Sequence, residues 1–181
     1  MPLPLGHAAI GFAAHSLCRT NGSPSGRWKT LLGILIVSNL PDLDVALGIV
    51  FRGNGNAFHR GPTHSLIFAL IGGFLTYRVW AYSSQLPKLS FRICFLLLLS
   101  HVAADFVFTG SPISFVWPIA VNWSDGYTGL RHVISMVLFG NYQDAKIIIG
   151  CTILILLHRT FMGFGMLKSD RKLKNIFQIR N

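Results

Sequence analysis

No glutamate occurs anywhere in the 181 residues, and all six acidic side chains are aspartates: Asp42, Asp44, Asp105, Asp125, Asp144 and Asp170. Charged residues of both signs make up only 12% of the chain, about half of the ~25% carried by soluble domains. So sparse a charge is hard to reconcile with a solvated surface. Set beside 51% hydrophobic residues, it also excludes a disordered chain. Cysteine is scarce too. Cys18, Cys94 and Cys151 each sit inside an apolar segment, and this odd number without paired spacing argues against a disulfide framework or a cysteine-type zinc site. They read as small apolar packing residues. No basic segment precedes the first apolar run and His7 interrupts it, so a cleavable signal peptide is not expected.

What is present is apolar sequence, with a mean hydropathy of +0.52. Five stretches stand out: 5–18, 28–51 (broken by Asn39-Leu40-Pro41-Asp42-Leu43-Asp44), 65–82, 91–108 and 145–164. The reading is an all-α, polytopic transmembrane helical bundle of about four to five spans, embedded in a lipid bilayer. The first stretch is short against the ~20 residues of a span, so it either crosses or re-enters. A Gly-, Pro- and Trp-rich connection fills 109–144, with shorter apolar pieces at 113–121 and 133–139. The chain reads as one helical domain over 1–165, followed by a basic tail over 166–181.

Sixteen lysines and arginines give a net charge of +10. A basic pI can signal a nucleic-acid binder, but here the basic residues lie between apolar stretches and in the tail, so no nucleic-acid partner is expected. Twelve of the sixteen fall in alternate connections and the tail: Arg19, Arg27, Lys29, Arg78, Lys88, Arg92, Arg159, Lys168, Arg171, Lys172, Lys174 and Arg180. The excess of positive charge on cytoplasmic loops places the C-terminus in the cytoplasm of an inner (plasma) membrane protein. The connections at 51–64 and 109–144 then face outward.

Three polar clusters interrupt the apolar sequence. The first is Pro41-Asp42-Leu43-Asp44. Pro41 breaks the helix, and residues two apart diverge on a regular helix, so both carboxylates reach one ion only if the backbone turns there. The plain alternative is a kinked helix with hydrated acids. The second is His59-Arg60-Gly61-Pro62-Thr63-His64-Ser65, where Thr63 is expected to cap the helix that follows. Two imidazoles suit a borderline metal, and Arg60 suits a phosphate or carboxylate oxygen. The alternative is an interfacial loop. The third is His101-Val102-Ala103-Ala104-Asp105, whose four-residue spacing stacks His101 and Asp105 on one helix face. A simple histidine–aspartate hydrogen bond is the competing reading.

Depth joins the three. With the helices laid out as above, His7, Asp42, Asp44, His59, His64, His101 and Asp105 come from four chain segments to a similar height in the outer half of the bilayer. An aspartate near the membrane centre costs about 2.5–3.5 kcal/mol on insertion scales, so such residues are kept for a partner, a proton path or a metal. Asp144 and Asp170, in contrast, are expected to be solvated. Trp117 and Trp123 fit an interfacial aromatic belt, and Gly72-Gly73 fits close helix packing.

At these residues the chain resembles the YdjM-like family of membrane-bound metal-dependent hydrolases. The likeness rests on His7-x-x-x-Gly11, PDLD at 41–44, HRGPTHS at 59–65, HVAAD at 101–105, and Thr109-Gly110-Ser111-Pro112-Ile113 through Trp117-Pro118. Val45 stands where members of the family often carry histidine, and the 45–58 connection is short. The resemblance implies a helical multi-pass inner-membrane protein with a bound divalent metal.

Asp42, Asp44, His64, His101 and Asp105 are the first-choice metal ligands, with His59 and His7 as further ones. The cofactor expected is a divalent metal, Zn²⁺ by donor type, as one ion or two. Arg60, Asp42 and Asp105 are the catalytic candidates: Arg60 for developing oxyanion charge, an unligated aspartate as general base. The substrate expected is an ester or phosphoester, including a lipid-linked one. Two other classes stay open at this point, an ion-binding or transport protein and a non-catalytic membrane protein with a structural metal.

Overall fold

The computed structural model describes residues 3–18, 27–83, 86, 88–110, 112–139 and 142–178, with the backbone alone for residue 27 and from residue 163 on. Arg19, Ser111 and Arg180 lie outside the described residues. The protein is about 75% helical and all-α, with no strand among the described residues.

Among the described residues seven α-helices follow in order: α1 (Pro4–Cys18), α2 (Arg27–Ser38), α3 (Leu43–Arg52), α4 (Leu66–Tyr82), α5 (Phe91–Thr109), α6 (Leu130–Phe139) and α7 (Tyr142–Gln178). Short 3₁₀ turns at Gly55–Ala57 and Pro62–His64 lie between α3 and α4. The apolar stretches read from the sequence therefore form helices, and the break at 39–42 separates α2 from α3 at an angle of 53°.

Phe91–Thr109 and Leu130–Met162 are long and apolar enough to cross a membrane, and the bent α2–α3 pair makes a third candidate if counted as one broken span. Helix α4, with 17 residues, is apolar but shorter.

The packed centre lies where α2, α4 and α5 meet, around Ile34, Val37, Ala69, Cys94, Leu97 and Leu98. Cys94 thus packs as a small apolar residue. Helices α4 and α5 approach closely because Gly73 has no side chain, since a Cβ there would lie 2.9 Å from the Phe95 Cα. Gly11 does the same for α1 against the end of α2, where a Cβ would fall 2.0 Å from the Ser38 Oγ. Outward faces carry large exposed apolar side chains, among them Leu47, Phe51, Leu70, Phe106 and Leu156. Such a surface suits lipid rather than water.

Two sequence expectations are corrected here. Asp144 is buried, 3% exposed, and its Oδ1 accepts the Leu3 backbone N–H at 2.8 Å. It satisfies a donor at the start of α1 and ties that helix to α7, a role that needs burial. Thr63 does not cap α4. Residues 62–64 tighten into a 3₁₀ turn, and Ser65 takes the cap instead, its hydroxyl accepting the Phe68 N–H at 3.0 Å.

Candidate metal centre

The centre is built outward from the helix break at Pro41. Proline has no N–H and cannot continue the helix, so the chain turns through i→i−3 bonds: Asn39 to Ile36, Leu40 to Val37, Leu43 to Leu40 and Asp44 to Pro41. In a continued helix the Ser38 carbonyl would take the Asp42 N–H. Here it accepts the His101 Nδ1–H from α5 at 2.6 Å. The turn also separates the two carboxylates of the PDLD segment, so that Asp44 faces the His64 Nδ1 and Asp42 the His64 Nε2.

Asp44 stands behind two histidines. Its Oδ1 lies 3.0 Å from the His59 Nδ1 and its Oδ2 lies 3.2 Å from the His64 Nδ1. The Thr63 hydroxyl donates to the same Oδ2. A carboxylate facing Nδ1 draws the ring proton there and leaves Nε2 as the bare nitrogen. The Ser38 carbonyl does the same for His101. His64 has a carboxylate at each ring nitrogen, Asp44 3.2 Å from Nδ1 and Asp105 3.2 Å from Nε2.

The Nε2 atoms of His64 and His101 meet the other two carboxylates, while His59 turns its Nδ1 toward Asp42 at 3.9 Å. The His64 Nε2 and His101 Nε2 lie 3.3 Å apart. The Asp105 Oδ2 is 3.2 Å from the former and the Asp42 Oδ1 3.3 Å from the latter. His7, from α1, stacks on His101 with ring centroids 3.7 Å apart and places its Nε2 3.5 Å from the Asp105 Oδ1. All seven sequence-chosen ligand candidates are therefore in one cluster. His7, His59, His64, His101 and Asp105 are at most 1% exposed, and Asp44 is 2% exposed. The Asp42 side chain is 15% exposed.

This donor set fits a divalent metal. The His64 and His101 Nε2 atoms face each other among carboxylate oxygens, an arrangement that a cation between them would satisfy. Their 3.3 Å separation matches ligands ~2.05 Å from one tetrahedral ion, which lie ~3.3 Å apart. Buried atoms without a hydrogen-bond partner include the His59 Nε2, the Asp42 Oδ1 and both Asp105 oxygens. Buried polar atoms are otherwise nearly always satisfied. Three clustered carboxylates also need compensation, because a charge removed from water costs several kcal/mol.

The donors fall into two groups whose ligand atoms lie within 4.8 Å of one another: Asp42, His59, His64 and Asp105, and His7, His101 and Asp105. Asp105 belongs to both and turns one oxygen toward His7 and the other toward His64. It is the carboxylate that the two groups share.

Asp44 stands outside both donor groups, its oxygens facing the Nδ1 atoms of His59 and His64 and the Thr63 hydroxyl. Ser38 and Thr63 were missed. The signal for Ser38 was available, since a proline three residues on frees carbonyls in the preceding turn. Nothing in the spacing marks Thr63 as the partner of Asp44.

Arg60 lies beside this cluster, 7% exposed, with a left-handed backbone at φ 64°. A non-glycine residue held there costs on the order of 1–3 kcal/mol, and such conformations concentrate at functional sites. The loop is held by the 112–124 segment: the Ser114 N–H donates to the Arg60 carbonyl at 3.1 Å and the Ser124 N–H to the His59 carbonyl at 3.0 Å. Gly61 lies under Trp123, whose ring would be 2.2 Å from a Cβ there. Trp123 thus braces the loop and lines a cavity of about 660 Å³ that reaches Asp42, His59 and Arg60. His132 and Asp125 line it as well.

No solved structure matches the chain. Among curated proteins it is similar to the inner membrane protein YbcI of Escherichia coli (strain K12), 32% identical over 133 residues, covering 69% of this chain and 70% of that one. The YdjM profile matches residues 1–168, a span that holds every donor of the centre and most of α7 besides the motif region at 5–120. The chain belongs to the YdjM inner membrane protein family.

Proposed function

We propose that this protein is a membrane-bound, metal-dependent hydrolase that cleaves an ester or phosphoester, including a lipid-linked one, at the outer face of the inner membrane. The observation that carries the reading is the pair of inward Nε2 atoms, 3.3 Å apart, each with its Nδ1 committed to an acceptor. Family membership supports the membrane setting. The imidazole–carboxylate donor set suits Zn²⁺, and one or two such ions supply a bound water of lowered pKa and polarise the substrate oxygen.

The chain's own residues supply the rest. Asp44 and the Ser38 carbonyl face the Nδ1 atoms of His59, His64 and His101 and hold the three rings in place. Asp105, fully buried, holds the centre together from α5. Of the three carboxylates, Asp42 alone lines the cavity, so it is the one placed to take a proton from an attacking water. Arg60, at the same wall, stabilises negative charge that develops on the substrate oxygen.

The protein is a multi-pass bundle of four to five crossings in this reading, with α4 and α1 added to the broken α2–α3 span, α5 and α7. The C-terminus and the basic tail face the cytoplasm, on the strength of the twelve-to-four distribution of basic residues. A reporter that fluoresces only in the cytoplasm, fused after Asn181, is expected to light up; a dark fusion reverses the face.

Hydrolysis is tested on the purified full chain with p-nitrophenyl esters and bis(p-nitrophenyl) phosphate. Turnover is expected with Zn²⁺ loaded, abolished by a chelator and restored by added metal. Arg60→Ala is expected to lower kcat by ~10²-fold, the effect of removing one oxyanion donor. Metal-loaded protein that turns over none of them contradicts the hydrolase reading and leaves ion passage or a structural metal in its place.

A further inference from the structure

The cavity beside the metal centre is two-sided. Its polar end is formed by Asp42, His59 and Arg60, and its apolar walls by Ile49 of α3 and by Val133, Met136 and Val137 of α6. At about 660 Å³ it falls within the ~300–1,000 Å³ of small-molecule sites.

Over the outer loops the cavity is tied down. The Asn54 Nδ2 donates to the Gly126 carbonyl at 3.2 Å, the Asn56 Nδ2 to the Asp125 carbonyl at 2.8 Å, and the Gly55 N–H to the Thr128 carbonyl at 2.8 Å. Trp123 adds its ring over Gly61. These bonds fasten the 123–128 segment across the 54–61 loop.

The two helices that wall the cavity are exposed on their other faces. In α3, Leu43 and Phe51 are 56% and 69% exposed, and in α6 Leu138 and Phe139 are 71% and 83% exposed. None of the α6 residues is fully buried. Faces of this composition belong in lipid, so the slot between α3 and α6 borders the hydrocarbon rather than the aqueous side.

We propose that the slot between α3 and α6 holds the alkyl chain of a single-chain membrane amphiphile with an anionic phosphate head, the head lying against Arg60 and the donor cluster. The inference rests on the hydrolase reading for what happens to the head, and names the substrate class of that site. A slot between one pair of helices takes one chain. Arg60 selects an anionic head, and the Ile49, Val133, Met136 and Val137 side chains select an alkyl tail, with Asp125 and His132 lining the same cavity. The amphiphile enters sideways from the bilayer, because the loops above are bonded to one another.

The test uses the full chain in nanodiscs of phosphatidylcholine and a hexadecyl phosphate carrying a diazirine in mid-chain. After illumination, the labelled residues are expected within 45–50 and 130–137. Excess hexadecyl phosphate should cut that label at least fivefold, while inorganic phosphate or hexadecane should not. Val133→Trp, which fills the slot, should reduce the label about tenfold with the thermal midpoint unchanged. Met136→Trp gives a second filling variant should the first fail to fold.

Label spread over the exposed faces of α4, α5 and α7 without competition overturns the proposal. So does competition by hexadecane as strong as by hexadecyl phosphate. The readout requires no turnover, so absence of hydrolysis counts against the hydrolase reading alone.

Discussion

Asp105→Ala is expected to reduce bound divalent metal to less than a tenth of the wild-type content. Asp105 is the one residue common to both donor groups, with an oxygen toward each. Removing it takes two ligand atoms at once and leaves four imidazoles with Asp42 as the remaining inward carboxylate. Because the donors come from α1, the 39–42 turn, the 59–64 loop and α5, metal occupancy and folding should be linked. The variant is therefore expected to unfold at a lower temperature, and added Zn²⁺ should raise the wild-type midpoint but not that of the variant. His64→Ala should behave similarly. His158→Ala, in α7 and outside both donor groups, should keep full metal content. Elemental analysis of the desalted proteins reads all three, and an Asp105→Ala protein with wild-type content would sink the shared-centre account.

Asp44→Ala should weaken metal binding by ~10–100-fold while leaving the stoichiometry at saturation unchanged, the effect of losing a carboxylate that orients ligating histidines. This separates a positioning residue from a ligand. Asp44 binds the Nδ1 atoms of His59 and His64 with different oxygens. Asn at this position keeps one acceptor oxygen and presents an NH₂ to the other ring, so it can orient one histidine while opposing the other tautomer. Asp44→Asn is accordingly expected to fall between wild type and Asp44→Ala. A competitive Zn²⁺ titration against a chromogenic chelator measures the difference. Lost stoichiometry in Asp44→Ala, with affinity at the remaining site intact, would make Asp44 a ligand after all.

The convergence of the donors was readable from sequence because aspartate and histidine inside apolar stretches are expensive, and a few alternating helices place them at one depth. The division of labour between Asp42 and Asp44 was not. It depends on how the chain turns between Ser38 and Leu43, and the presence of Pro41 says that the helix breaks without saying which carboxylate then turns inward. His101 illustrates the same limit. The spacing to Asp105 suggested a direct pair, but the Ser38 carbonyl, 63 residues away, holds the His101 Nδ1. Local spacing cannot show a carbonyl released on another helix.

Burial of Asp144 and the placement of Thr63 failed for a related reason. Each polar side chain was judged beside its sequence neighbours, and each is satisfied by a distant partner, the Leu3 N–H for one and Asp44 for the other. The cavity was beyond the sequence altogether. Its walls join α3 to α6, some eighty residues on, and Trp123, expected in an aromatic belt, braces the loop that carries Arg60. Gly73, by contrast, was read correctly as a packing residue, because a glycine within an apolar helix has few other uses.

The central claim is that four chain segments form one metal centre from imidazole and carboxylate donors, and zinc-edge X-ray absorption on the purified, Zn²⁺-loaded full chain tests it most directly. The account predicts one or two ions per chain, a first shell of nitrogen and oxygen at ~2.0–2.2 Å with the outer-shell pattern of several imidazoles, and no sulfur at ~2.3 Å. A folded protein that retains less than a tenth of an ion per chain after desalting, or one whose zinc is bound by sulfur, would contradict it.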